Sequence, residues 1–344
     1  ITPPVFFDKV TYDQHVAVIY AYNPPTPPNV TIELGLRKAL AAYREWAGRL
    51  GRDGNGEPII LLNDEGVRFV EASVDRPLSG TVHFQPSATL LSLHPSLEGV
   101  VELVQVQVTR FSCGSIVVGF TAHHLVADGH ATSSFLVAWG QACRGLDVNP
   151  MPFHDQFSKL KARASNDGIS TFESLVASFG ELTKARNLNG LETTQVRISV
   201  DGRYRLNPRV PNEYFGNLVL WAFARAKVND LLHEPLPYAV KLLHEAVMKV
   251  DDSYFKSFID FANHKVKKED LVPNAVADTK ESILWPNLEV DSWLRFPFYD
   301  LDFGCGGPYI FMPSFSPTEG MIFLLPSFTG DGSIDVFVPL FQKI

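Results

Sequence analysis
Alternating apolar and polar positions predict the clearest strand at Leu103–Thr109. Val104, Val106 and Val108 face one way and Gln105, Gln107 and Thr109 the other, the period of two of a pleated strand. A turn at Ser112-Cys113-Gly114-Ser115 leads into Ile116–Ala122, which is apolar on both faces and therefore reads as a central strand. That strand runs into His123-His124-Leu125-Val126-Ala127-Asp128-Gly129, and a helix is predicted over about His130–Cys143. Upstream, a strand at His15–Tyr22 is broken by the Pro-rich stretch Asn23–Pro28. The spacing of Ile32, Leu36, Ala39, Leu40, Tyr43, Ala47 and Leu50 then predicts one helix from near Thr31, stopped by Gly51. Short strands follow near Pro58–Leu62 and Val67–Ala72.

Downstream, Lys159–Arg186 reads as a polar helix, Gly190–Asn217 as strand and loop, and Pro235–Asn263 as mostly helix. The remainder alternates strand and turn. Met321–Leu325 and Ile334–Leu340 are joined by Thr329-Gly330-Asp331-Gly332, a hairpin signal. Strands and helices mixed in this order predict an α/β protein with mixed sheets.

The 344 residues are too many for one ordinary hydrophobic core and favour two domains. Hydrophobic residues make up 45% and charged residues 20%, which excludes global disorder. No apolar run reaches the roughly 18 residues of a membrane helix, so a soluble chain with no membrane partner is expected. The N-terminus lacks a secretory pattern. A net charge of −8 gives no basic face for nucleic acid. Three widely spaced cysteines, Cys113, Cys143 and Cys305, form neither a disulfide framework nor a zinc pattern, and point to the reducing cytosol. In that setting Asn29-Val30-Thr31 is a helix entry rather than a glycan site.

Two segments carry candidate chemistry. His124 and Asp128 form an HxxxD at the mouth of the central strand, where a histidine could act as a general base near neutral pH. Asp128 could pair with His124, turn to an arginine, or cap the following helix; His124 could equally be a hydrogen-bonded core residue. Asp302-Phe303-Gly304-Cys305-Gly306-Gly307 packs three glycines into four positions, which demands unusual backbone angles or close approach. It lacks the pattern of a phosphate loop.

Together HHLVADG and DFGCG resemble the motifs of the plant BAHD acyltransferases, HxxxD in mid-chain and DFGWG near the C-terminus. Val200-Asp201-Gly202-Arg203-Tyr204-Arg205-Leu206, Tyr214-Phe215-Gly216-Asn217, Ser292-Trp293-Leu294-Arg295-Phe296-Pro297 and the segment from Glu319-Gly320 to Leu325-Pro326-Ser327 also match, so the resemblance spans nearly the whole chain. It implies two domains like chloramphenicol acetyltransferase, with the active-site channel between them: 1–155 carrying HxxxD, 156–190 as crossover, and 191–344 carrying DFGCG. It implies acyl transfer from a CoA thioester to an alcohol or amine, with acyl-CoA as co-substrate, no tightly bound cofactor, no metal, and a cytosolic monomer. His124, Asp128 and Asp302 are the implied catalytic positions: His124 for the proton transfer, Asp128 turned toward Arg203 or Arg205, and Asp302 mainly structural. The family's CoA-contacting segment falls on Lys161 and Arg163, just before a helix opened by a capping box at Ser170 and Glu173, so Lys161, Arg163, Ser170 and Thr171 are the candidate CoA contacts.

Cys305 replaces the motif tryptophan, and Gly307 a commonly basic position. In this form the chain resembles grass enzymes that join hydroxycinnamoyl or benzoyl groups to amines such as tryptamine, serotonin, agmatine and putrescine. The competing readings are an O-acyltransferase for an alcohol or shikimate-type acceptor, with Arg295 holding a carboxylate or bracing the DFG loop; a non-catalytic acyl-CoA-binding relative; and a cysteine hydrolase using Cys113 or Cys305. The chain is shorter than the family norm. Residues absent from it are expected near Gln156-Phe157 and before Ile1.

Overall fold
The computed structural model describes residues 11, 13–54, 56, 58–82, 88–149, 151–152, 188, 192–263, 285–314, 319–329 and 332–339. In the first half the order is β1 (His15–Tyr22), α1 (Asn29–Ala42), β2 (Arg49–Arg52), β3 (Pro58–Leu61), β4 (Arg68–Val74), β5 (Val104–Phe111), β6 (Ile116–His123) and α2 (Gly129–Cys143). The second half contains β7 (Thr193–Asp201), β8 (Val219–Lys227), α3 (Val228–His233), α4 (Leu236–Met248), α5 (Asp252–Asn263), β9 (Leu288–Ser292), β10 (Ile310–Pro313), β11 (Met321–Pro326) and β12 (Ile334–Phe337).

The strands form two five-stranded mixed sheets, ordered β10-β1-β6-β5-β4 and β12-β11-β9-β7-β8, with β2 and β3 as a separate ribbon. Each sheet contains both parallel and antiparallel pairs. β10, which follows the DFG segment, crosses to the first sheet and pairs with β1. The two halves are thereby interlocked by backbone as well as by side chains.

β6 is the centre of the first sheet and every one of its residues is buried. On one face Ile116, Val118, Phe120 and Ala122 pack with Val104, Val106 and Val108 against α1 and α2. On the other, Val117 joins Ile19, Ala21, Leu90, Leu93 and Met312. The polar alternates of β5 are buried too, because a 3-10 turn at Ala88–Leu93 covers them: Gln107 donates to the Ser92 carbonyl at 3.1 Å. In the second sheet, Ile198, Val200, Leu288 and Val290 face Leu243, Ala246, Val250 and Phe255 of the helical layer.

α1 differs from its sequence pattern. It ends at Ala42, and the apolar positions Tyr43, Ala47 and Leu50 continue through a 3-10 turn, Arg44–Ala47, into β2. Gly48, rather than Gly51, marks the redirection: a Cβ there would lie 2.4 Å from the Leu61 carbonyl of the paired strand. Pairing with β3 satisfies the backbone that a longer helix would otherwise have used. The helix expected over Lys159–Arg186 lies outside the described residues, as do Gly330 and Asp331 of the β11–β12 turn.

Candidate active site
His124 is the first residue past β6, where the two halves meet. Its main-chain N–H donates to the Gln14 carbonyl at 2.9 Å. The Asn217 side-chain amide, from the segment that leads into β8, donates to the carbonyls of His124 at 3.0 Å and Leu125 at 3.3 Å. The ring Nδ1 lies 2.9 Å from Thr11 Oγ1. The backbone is thus fixed from both halves and the ring is oriented by a hydroxyl. Burial pushes the imidazole below its ordinary pKa of 6.5, and the charges of Asp128 and Asp291 oppose this only in part. A neutral imidazole at neutral pH can accept a proton.

Asp128 caps α2 and pairs with arginine at the same time. Its Oδ1 accepts from the Ala131 N–H at 2.9 Å and its Oδ2 from the Leu218 N–H at 2.9 Å. Arg203, 0% exposed, donates to Oδ2 at 2.8 Å and to Oδ1 at 3.2 Å. The same guanidinium reaches Asp201 at 3.2 Å and the carbonyls of Tyr214 and Gly216 at 3.1 and 3.2 Å. Arg203, not Arg205, is therefore the arginine that meets the HxxxD aspartate. Burial alone would raise the Asp128 pKa; the guanidinium and the backbone donors more than offset it and hold the carboxyl below its usual range. Asp128 ties the start of α2 to the second half of the chain.

Asp302 stands at the other end of α2. Its Oδ1 accepts from the N–H groups of Gly304 and Gly306 at 2.7 and 2.8 Å, and its Oδ2 pairs with Arg144, the residue closing α2, at 3.2 Å. Gly304 and Gly306 have φ of 99° and 87°, angles that favour glycine. Gly140 lets the loop approach the helix, since a Cβ there would lie 2.8–2.9 Å from Asp302 backbone atoms. Phe303 fills the space behind, against Trp139 at 4.9 Å and Tyr22 at 5.2 Å between ring centroids. Cys305 packs half-buried on this cluster. Arg295 is exposed, and the cation that braces Asp302 is Arg144.

Lys161, Arg163, Ser170 and Thr171 lie outside the described residues. Among the described residues no group of His, Cys, Asp or Glu is arranged to hold a metal ion, and no helix is long and apolar enough to cross a membrane. The contacts of Cys113 are with Leu78 and Ser115, and Cys305 meets the Gly306 carbonyl; neither set includes a histidine base.

Four residues at the site were not singled out by sequence reasoning: Thr11, Asn217, Ser199 and Asp291. Asn217 ends the YFGN motif and Asp291 precedes the SWLRFP motif, so a signal lay next to each. Asp291 accepts a hydrogen bond from Ser199, and its carboxyl pKa is raised by burial.

A histidine at the end of a fully buried strand, between two mixed sheets and beside the HxxxD and DFG loops, is the arrangement that the resemblance to acyl-CoA-dependent acyltransferases implies. The Transferase family model matches residues 6–173 and 153–343, and the chain belongs to that family, the plant BAHD acyltransferases. It is 45% identical to agmatine coumaroyltransferase-1 of Hordeum vulgare, over 100% of this chain and 91% of the relative. It is 46% identical to putrescine hydroxycinnamoyltransferase 3 of Oryza sativa subsp. japonica, over 99% of this chain and 90% of the relative. The fold is that of vinorine synthase (TM-score 0.73, 21% identity, covering 97% of this chain and 88% of that one). It is equally that of F. graminearum TRI101 complexed with coenzyme A and deoxynivalenol (TM-score 0.74, 15% identity, 99% and 94%).

Proposed function
We propose that this chain transfers a hydroxycinnamoyl group from its CoA thioester to a primary amine of agmatine or putrescine, in the cytosol, giving an amide and free CoA. The observation that carries this reading is the 45–46% identity, over essentially the full chain, to relatives named for those acceptors.

His124 is the general base. A thioester is already activated, so the acceptor nitrogen attacks the carbonyl directly and no acyl-enzyme is needed. The acceptor arrives as an ammonium ion and loses one proton to solvent before it attacks. His124 takes the second proton as the C–N bond forms, and returns it to the CoA thiolate as the C–S bond breaks. The lowered imidazole pKa suits this cycle, because a base that were protonated at neutral pH could not start it. Asp128 holds the entry of α2 through Arg203, and Asp302 shapes the DFG loop; both position rather than react. Lys161, Arg163, Ser170 and Thr171 remain the proposed contacts to CoA.

The test is thiol release from p-coumaroyl-CoA, feruloyl-CoA or benzoyl-CoA with agmatine, putrescine, tryptamine or shikimate, and mass spectrometry of the product. An amide of agmatine or putrescine is expected, and turnover should fall by about 10²–10⁴ in His124→Ala. An ester of shikimate, or no turnover with thioester bound, would overturn the proposal.

A further inference from the structure
We propose that Asp291 is the acceptor-recognition residue, the carboxylate that receives the positive charge of an amine bound beside His124. The proposal rests on the amine-acyltransferase reading above and names the group that selects its acceptor.

The argument begins with the pleat of the second sheet. Leu288 and Val290 of β9, and Ile198 and Val200 of β7, face the helical layer. The alternate residues Glu289 and Asp291 of β9, and Arg197, Ser199 and Asp201 of β7, therefore lie on the opposite face. β7 and β9 run parallel with Arg197 opposite Glu289. These two form a buried ion pair, with Nε donating to Oε2 at 2.6 Å, and the Arg197 guanidinium also lies 4.9 Å from the centre of the Trp221 ring. Arg197 is thus bonded directly to Glu289 on this face, and reaches Asp291 only through space. Asp291 is the next carboxylate along β9. Ser199 donates a hydrogen bond to it, and the charges of His124 and of Arg197 both act on it.

Asp128 is the other carboxylate that acts on His124, and it is committed elsewhere. It is 3% exposed and holds the Arg203 guanidinium and two backbone N–H groups. Asp291 is partly exposed. A carboxyl that is held by a hydroxyl, whose pKa burial has raised and that lies within electrostatic reach of the base, is suited to a cationic ligand, because the ligand's charge would favour its ionised form. An alcohol acceptor carries no charge for it to meet, whereas an aliphatic amine or diamine does. The same group therefore separates amine from alcohol acceptors by charge.

The decisive variant is Asp291→Asn, which keeps the shape and removes the charge. Steady-state kinetics would be run on the full chain with p-coumaroyl-CoA and either agmatine or putrescine. The acceptor KM is expected to rise about tenfold or more while the KM for p-coumaroyl-CoA stays within about twofold. Asp291→Glu should recover part of the acceptor affinity. If the Asn variant does not fold, Asp291→Ser keeps a polar partner for Ser199, drops the charge and carries the same test. An unchanged acceptor KM, or a parallel rise in both KM values, would overturn the assignment. Failure of the wild-type protein to acylate any amine would overturn the proposed function instead, so the two failures are distinct.

Discussion
Asp128 and Asp302, the aspartates of the two motifs, stand at opposite ends of one helix. Asp128 caps the start of α2, and Asp302 is paired with Arg144 at its end. Fifteen residues at about 1.5 Å each make α2 roughly 22 Å long, so Asp302 cannot touch an acyl carbonyl held at His124. The two motifs fasten opposite ends of the same helix, and only the HxxxD end adjoins the base. The DFG loop influences chemistry through the seating of α2.

The Asp128–Arg203 pair sets a stability prediction. Both side chains are buried, with Arg203 0% and Asp128 3% exposed. Arg203→Met removes the cation and leaves a buried carboxylate with backbone donors only. The expected loss is about 3–5 kcal/mol, the usual cost of breaking a buried ion pair from one side. The double variant Arg203→Met, Asp128→Asn should recover part of that loss, since no charge then remains buried. Urea denaturation measures both, and a single Arg203→Met variant as stable as the wild type would contradict the pairing.

The imidazole environment sets the pH dependence. His124 is active as a base only when neutral, and burial lowers its pKa from 6.5. Activity is therefore retained above the lowered pKa and lost as pH falls through it. Once kcat/KM is corrected for the fraction of acceptor amine that is unprotonated, its acid limb should have its midpoint below pH 6.5. A midpoint above that value would mean that the nearby carboxylates outweigh burial at this site.

Much of the site's scaffolding was legible in the sequence, because the signals were local. β1 and β6 follow from apolar runs, and the start of α2 from the strand-to-loop change around His124 and Asp128. The end of α1 was not legible. Tyr43, Ala47 and Leu50 keep the helical phase, yet a contact to Leu61, distant in the chain, turns the backbone at Gly48. Asp291 was hidden for the same kind of reason. Its meaning depends on Ser199 and Arg197 from β7, which lie about 90 residues earlier, and on His124 from the other sheet. Asp128 illustrates an intermediate case: helix cap and arginine partner were separate readings of the sequence, and the structure places both on one carboxylate.

Gly140 tests the seating of the DFG loop. In an isolated helix Gly→Ala gains about 1 kcal/mol. Here the added Cβ would lie 2.8–2.9 Å from the Asp302 backbone, which must shift. Overpacking of this kind costs about 1–3 kcal/mol, so Gly140→Ala should be net destabilising despite its better helix propensity. A thermal melt decides the sign: a raised Tm would show that the loop yields without cost.

The cysteines give a prediction that also bears on mechanism. Cys113 is exposed, and the N–H of Leu78 together with the Ser115 hydroxyl lowers its thiol pKa to about 7. Burial raises the Cys143 thiol to about 12 and pushes Cys305 upward. Iodoacetamide at neutral pH should therefore label Cys113 first, because the thiolate is the reactive form. Cys113 lies in the turn before β6, whereas His124 follows its far end. Eight residues at about 3.3 Å each place the two roughly 26 Å apart. A singly labelled protein, mapped by peptide mass spectrometry, should retain its acyl-transfer activity. Loss of activity with the label confined to Cys113 would bring a thiol into the chemistry and contradict a mechanism in which the histidine alone shuttles the proton.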